Sequence, residues 1–184
     1  VTDTSASLGP LNLFDGRWVV GDVRRPDGYW VEFRADGLYQ HARDSEGQVI
    51  PWPRIMLGIG FTLGGKYPSR GSYSMWGMLG GLPGPWKGRF GGYLHMTLRH
   101  PYEDWVARFD RHPRWYPGAQ LVLFEELLRQ TGVADELHLL GDRVWLGSVV
   151  AQLAPRRPWT QRSLRDAVKR ARKIAPPSAG EAAS

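Results

Sequence analysis

Short aromatic and β-branched runs, separated by turn residues, occupy the chain as far as Pro101. Arg17–Asp22 (RWVVGD), Tyr29–Arg34 (YWVEFR) and Leu38–Arg43 (LYQHAR) each predict a strand. Asp36-Gly37 predicts a two-residue hairpin turn between the second and third, because both residues tolerate positive φ. Alternation places Tyr29, Val31 and Phe33 toward the core and Trp30, Glu32 and Arg34 on the opposite face. The turn DSEGQ comes next. Val49–Leu57 (VIPWPRIML) then predicts an edge or bent strand, since its prolines have no N–H to give a ladder. Tyr93–Arg99 (YLHMTLR) predicts a further strand with Tyr93, His95, Thr97 and Arg99 on one side.

Beyond Pro101 the pattern becomes helical. Pro101 suits a first helical turn, and Glu103 and Asp104 suit the positive end of a helix, so Tyr102–Arg111 is expected to be helical. Ala119–Thr131 (AQLVLFEELLRQT) predicts a helix closed by Gly132, with so broad an apolar surface that most of it is buried. Leu137–Leu146 (LHLLGDRVWL) predicts a second hairpin about Gly141-Asp142, and a helix starting at Asp142 is the competing reading. This segment echoes Leu11–Val20 (LNLFDGRWVV), which two similar hairpins explain as well as a duplication. Thr160–Ile174 predicts a helix capped by its threonine. Strands followed by helices define the α+β class: an antiparallel sheet or open barrel from the first half, packed against helices from the second. The expected organisation is one domain over residues 11–175 with an insertion at about 58–92. Val1–Pro10 and Pro176–Ser184, small and polar, are expected to be disordered tails.

Composition adds a charge. The 184 residues carry a net charge of +6, which favours anionic partners. Lysine stands only at 66, 87, 169 and 173, and the rest of the positive charge is arginine, the signature of a GC-rich coding bias. The chain has no cysteine, so disulfides and thiolate metal sites are excluded. No apolar run is long enough to span a membrane and no signal peptide is visible, so the expected location is the cytoplasm, with peripheral attachment to a membrane as the alternative.

Between Glu46 and Glu103 there is no acidic residue, while the chain is rich in glycine and aromatics. Gly60–Tyr67 (GFTLGGKY) comes close to a phosphate-binding loop, but Tyr67 replaces the required hydroxyl and Pro68 prevents the following helix. What remains is a contact surface of Lys66, Arg70, Tyr73, Trp76, Trp86, Lys87, Arg89 and Phe90. Cations among insertable rings suit anionic lipid or a stacked single-stranded nucleic acid. A long hairpin folded back on the sheet would use the same residues structurally. The C-terminal helix adds Arg162, Arg165, Lys169, Arg170 and Lys173 on one basic face, with Leu164, Val168, Ala171 and Ala175 at helical spacing for packing. That face is a solvated helix surface or, alternatively, a nucleic-acid contact.

Enzymatic patterns are sparse. The histidines at 41, 95, 100, 112 and 138 lack metal-binding spacing, although His95, His100 and His112 could converge on zinc in three dimensions. No hydrolase elbow occurs. An acid–base site would require His95, Asp104 or Glu125 to share a pocket. No cofactor is expected. The sequence therefore favours a non-catalytic binding module that contacts an anionic surface or a protein through the glycine-rich loop. Nucleic-acid binding through the basic helix is the first alternative, and a dispersed acid–base enzyme the second.

Gly37–His41 followed by Gly47–Ile55 (GQVIPWPRI) resembles bacterial pleckstrin-homology-like domains, in which a strand and turn precede an I-P-W-x-x-I strand. The resemblance spans Arg17 to Ile55 and extends to the final helix. It implies a β-sandwich or open barrel that binds lipids or proteins, with Trp52 packed into the sandwich and Ile55 in the core. The glycine-rich segment would then be an insertion.

Overall fold

The computed structural model of the chain describes residues 7–25, 27–42, 45–63, 91–114 and 116–175, with 45 and 46 through their backbone alone. Within these residues, nine strands precede three α-helices. The strands are β1 (Ser7–Leu8), β2 (Leu11–Phe14), β3 (Arg17–Val20), β4 (Trp30–Arg34), β5 (Gly37–Ala42), β6 (Ser45–Pro51), β7 (Ile55–Leu63), β8 (Gly92–Leu98) and β9 (Glu103–Phe109). The helices are α1 (Gly118–Val133), α2 (Arg143–Leu153) and α3 (Gln161–Ile174). The α+β class is as the sequence predicts. The sheet is not closed into a barrel: β1 to β6 form a six-stranded antiparallel meander, and β7 to β9 a separate three-stranded one.

Two hairpins show how local chemistry sets the first sheet. Asp15 and Gly16, both at positive φ, turn β2 into β3. Between β4 and β5 the register pairs Arg34 with Gly37, so the loop residues are Ala35 and Asp36, one position earlier than the Asp-Gly pair suggests. Gly37 instead opens β5 at a crowded point, where a Cβ would lie 2.2 Å from the Ile50 carbonyl oxygen. Val31 and Phe33 are buried as their alternation requires. On the opposite face Trp30 stacks on His41 at 4.7 Å, and Glu32 is buried beside Arg17 at 3.8 Å.

The stretch predicted as one bent strand over 49–57 is divided. β6 starts at Ser45, within the expected turn, and forms an edge of the first sheet. A 3-10 turn at Trp52–Arg54 then carries the chain into β7 and the second sheet. Trp52 is buried, donates its indole N–H to the Arg34 carbonyl at 3.0 Å and packs edge-on to Phe33. Ile55 is buried beside it in the core.

Three further expectations are corrected. Residues 103–109 form β9, not a helix, and pair along β8 from Gly92↔Phe109 to Leu98↔Glu103. The acids thought to cap a helix serve the ladder: Glu103 binds Arg54 at 2.9 Å and Asp104 accepts from Thr97 at 3.4 Å. Residues 137–146 form no hairpin. A 3-10 turn covers Leu137–Gly141, and Asp142 caps α2 by accepting from the Val144 and Trp145 amides at 2.9 and 3.0 Å, the competing reading. At the N-terminus, Ser7–Leu8 is part of the sheet and Leu8 is fully buried, so the folded chain starts before Leu11.

α1 runs two residues past its predicted end at Thr131, with Asp135 supplying the positive φ after its end. Gly132 has a packing role: a Cβ there would lie 2.5 Å from the Gly58 Cα of β7. One core joins both sheets and the helices. Phe61 of β7 meets Phe124 of α1 edge-on at 5.2 Å and stacks on Phe109 of β9 at 6.2 Å. Trp18, fully buried, donates to the Arg143 carbonyl at 3.3 Å and so ties β3 to the start of α2. α3 is capped by a reciprocal Thr160–Ser163 pair and packs on α1 and α2 through Val168 and Ala171.

Candidate functional site

The eight contact residues read from the glycine-rich segment, Lys66, Arg70, Tyr73, Trp76, Trp86, Lys87, Arg89 and Phe90, lie outside the described residues. Only the roots of the segment are placed. β7 runs to Leu63, which pairs with Gly92 of β8, so residues 58–63 are strand and not insertion. Gly60, first in the near-miss phosphate pattern, has a packing reason: a Cβ would collide with the His95 ring.

The basic helix is fully placed. Arg162, Arg165, Lys169, Arg170 and Lys173 are all exposed on α3, opposite the side buried by Val168 and Ala171. At 100° per residue, Arg162, Arg165, Lys169 and Lys173 share one stripe along the whole helix. Among the described residues none of the five forms an ion pair. Arg172 differs: it turns inward to pair with Glu136 and to reach Gln130 at 3.3 Å. Burial pushes Glu126 of α1 up, but hydrogen bonds from Arg129 and Gln130, both at 2.7 Å, outweigh it and hold the carboxyl below its usual range. That carboxylate is therefore committed within α1. Arg156 and Arg157 extend the positive surface before α3, and Trp159 stands 95% exposed beside them. Ile174, at the far end, is also exposed.

A concave feature lies apart from α3, where the turns after β3 and β9 meet. The turns after β3 and β9 are laced together: Asp22 N–H donates to the Asp110 carbonyl at 2.9 Å, and Asp110 N–H to the Tyr29 carbonyl at 2.7 Å. Gly21 permits this approach, since a Cβ there would be 2.9 Å from the Phe109 Cβ. The result is a cleft of about 730 Å³ whose walls include Asn12, Asp22, Arg24, His112 and Arg114. The Tyr116 hydroxyl lies 3.0 Å from the His112 amide nitrogen and 2.8 Å from its Nδ1. Burial, reinforced by Arg114, lowers the His112 pKa to about 4, so its imidazole is neutral at pH 7. Burial likewise raises Tyr116 and lowers Arg114, whose guanidinium also donates to the Gly9 carbonyl at 3.0 Å. Sequence reasoning weighed His112 only for zinc and did not single out the other residues, because three distant segments build this wall.

Among the described residues the three histidines weighed for zinc do not form a metal-binding group. His95 on β8 lies 3.4 Å from the Thr62 hydroxyl, His100 sits in the β8–β9 turn against Tyr102, and His112 belongs to the cleft. Among the described residues no group of three or more His, Cys, Asp or Glu could hold a metal ion. Glu125, on α1, is raised by burial and then by Glu126, while Asp104 is on β9. Among the described residues no helix is long and apolar enough to cross a membrane. No protein-family model, curated protein or solved structure matches the chain.

Proposed function

We propose that this chain is a non-catalytic binding module that docks on an anionic membrane surface through the outer face of α3. The observation that carries the reading is the cationic stripe of Arg162, Arg165, Lys169 and Lys173, which forms no ion pair among the described residues. Because α3 spends its apolar side on α1 and α2, the outward contact is electrostatic, with Trp159 and Ile174 as shallow apolar anchors at its two ends. The glycine-rich segment contributes a second contact through Lys66, Arg70, Lys87 and Arg89, with Tyr73, Trp76, Trp86 and Phe90 entering the headgroup layer.

Each basic residue near anionic lipid contributes about 1 kcal/mol, so replacing the four stripe residues by Gln weakens binding by roughly a thousandfold at low salt. Co-sedimentation with phosphatidylserine-containing and phosphatidylcholine vesicles reads this directly. Binding to the anionic vesicles alone, lost in high salt and in the quadruple variant, supports the reading. Equal binding by the variant, or a gel shift with DNA or RNA and no vesicle binding, rejects it.

A further inference from the structure

The cleft between the β3 and β9 turns shares no lining residue with the α3 face. Its wall combines groups of both charge signs. Arg24 and Arg114 offer guanidinium N–H donors, while Asp22, only 6% exposed, and Asp15 offer carboxylates. The Asp22 carboxylate accepts the Arg24 backbone N–H at 3.2 Å, which holds the turn in place.

His112 contributes a neutral imidazole to the wall, its Nδ1 2.8 Å from the buried Tyr116 hydroxyl, whose oxygen also accepts the His112 backbone N–H.

Arg24 and Arg114 offset Asp15 and Asp22, so the charged side chains lining the cleft sum to zero. A dianionic phosphate would leave that balance unmet, whereas a zwitterion satisfies both signs. We propose that this cleft binds a small zwitterion of the amino-acid or dipeptide kind. Its carboxylate is held by Arg24 and Arg114, and its ammonium or amide N–H groups by Asp15 and Asp22. The volume falls within the roughly 300–1,000 Å³ of small-molecule sites.

The test uses the full chain in thermal-shift and calorimetric titrations with the free L-amino acids and a panel of dipeptides. Inorganic phosphate and citrate serve as anion comparators. At least one zwitterion is expected to raise the melting temperature. Its affinity is expected to fall about tenfold or more in Arg24→Gln, which removes a charge-assisted donor at an exposed side chain, and in Asp15→Asn, which removes an exposed carboxylate from the ammonium. Far-UV circular dichroism checks that both variants fold. The quadruple α3 variant should bind the zwitterion as the unaltered chain does, which separates this site from the docking face. No stabilisation by any zwitterion, stabilisation by phosphate or citrate alone, or affinity unchanged in both variants would overturn the proposal.

Discussion

At the scale of single residues, the order of two letters decides a conformation. In LNLFDGRWVV, Asp15 precedes Gly16, both take positive φ, and the chain turns back as a hairpin. In LHLLGDRVWL, Gly141 precedes Asp142, and the aspartate caps a helix. The two segments look alike to an eye tuned to apolar spacing, yet only the first offers Asp-Gly in the order a tight hairpin needs. Gly141 is fixed by contact: a Cβ would lie 2.1 Å from the Arg34 carbonyl oxygen. His112 supplies a residue-scale prediction. Its pKa falls from 6.5 to about 4 on folding, so the unfolded chain binds the proton more readily. The contribution from His112 is complete above pH 6.5 and is lost as pH falls toward about 4. His112→Asn retains an oxygen acceptor for Tyr116 but does not titrate. Urea midpoints measured across this window should fall less steeply with acid in the variant than in the unaltered chain. Parallel slopes would contradict the assignment.

At the scale of elements, the sequence was legible where one neighbour explains each residue. β8 alternates as its sequence predicts, β3, β4 and β5 lie where their aromatic and β-branched runs predict strands, and α1 and α3 follow their helical spacing and, for α3, its cap. β9 was misread because Pro101, Glu103 and Asp104 imitate a helix start. Only the pairing with β8 shows that Ala107 and Phe109 face inward in a strand. Gly132 is the same lesson in reverse. It looks like a helix stop but is a point of contact between α1 and β7. Gly132→Ala would gain about 1 kcal/mol of helix propensity, yet crowding of the Gly58 backbone costs about 1–3 kcal/mol. The expected outcome is a net loss of stability in chemical denaturation, and a gain would show that the two elements separate easily. The cleft was the least legible feature. Its residues come from β2 and the turns following β3 and β9, so no local pattern announces it.

At the scale of the whole molecule, the two sheets share no strand but do share a core. Phe124 of α1 sits against Phe61, which in turn lies on Phe109, so one helix residue bears on the packing of the second sheet. Phe124→Ala is expected to cost about 3–5 kcal/mol. Near-UV and far-UV circular dichroism should still report one coincident melting transition, at lower temperature. Two separated transitions would mean that the sheets fold as independent units. The molecule also distributes its chemistry unevenly. Among the described residues the exposed cations of α3 form no ion pair, whereas the charged side chains lining the cleft sum to zero.

The pairing of Leu63 with Gly92 has a consequence for how this chain can change over time. The two residues stand opposite each other on one rung of the β7–β8 ladder, a separation that a short hairpin loop also spans. The number of residues joining those two ends can change with little demand on the scaffold, because the cost of closing a connection grows only logarithmically with its length. The rung is thus a natural graft point, where one connection can be exchanged for another while the sheet and helices are inherited intact.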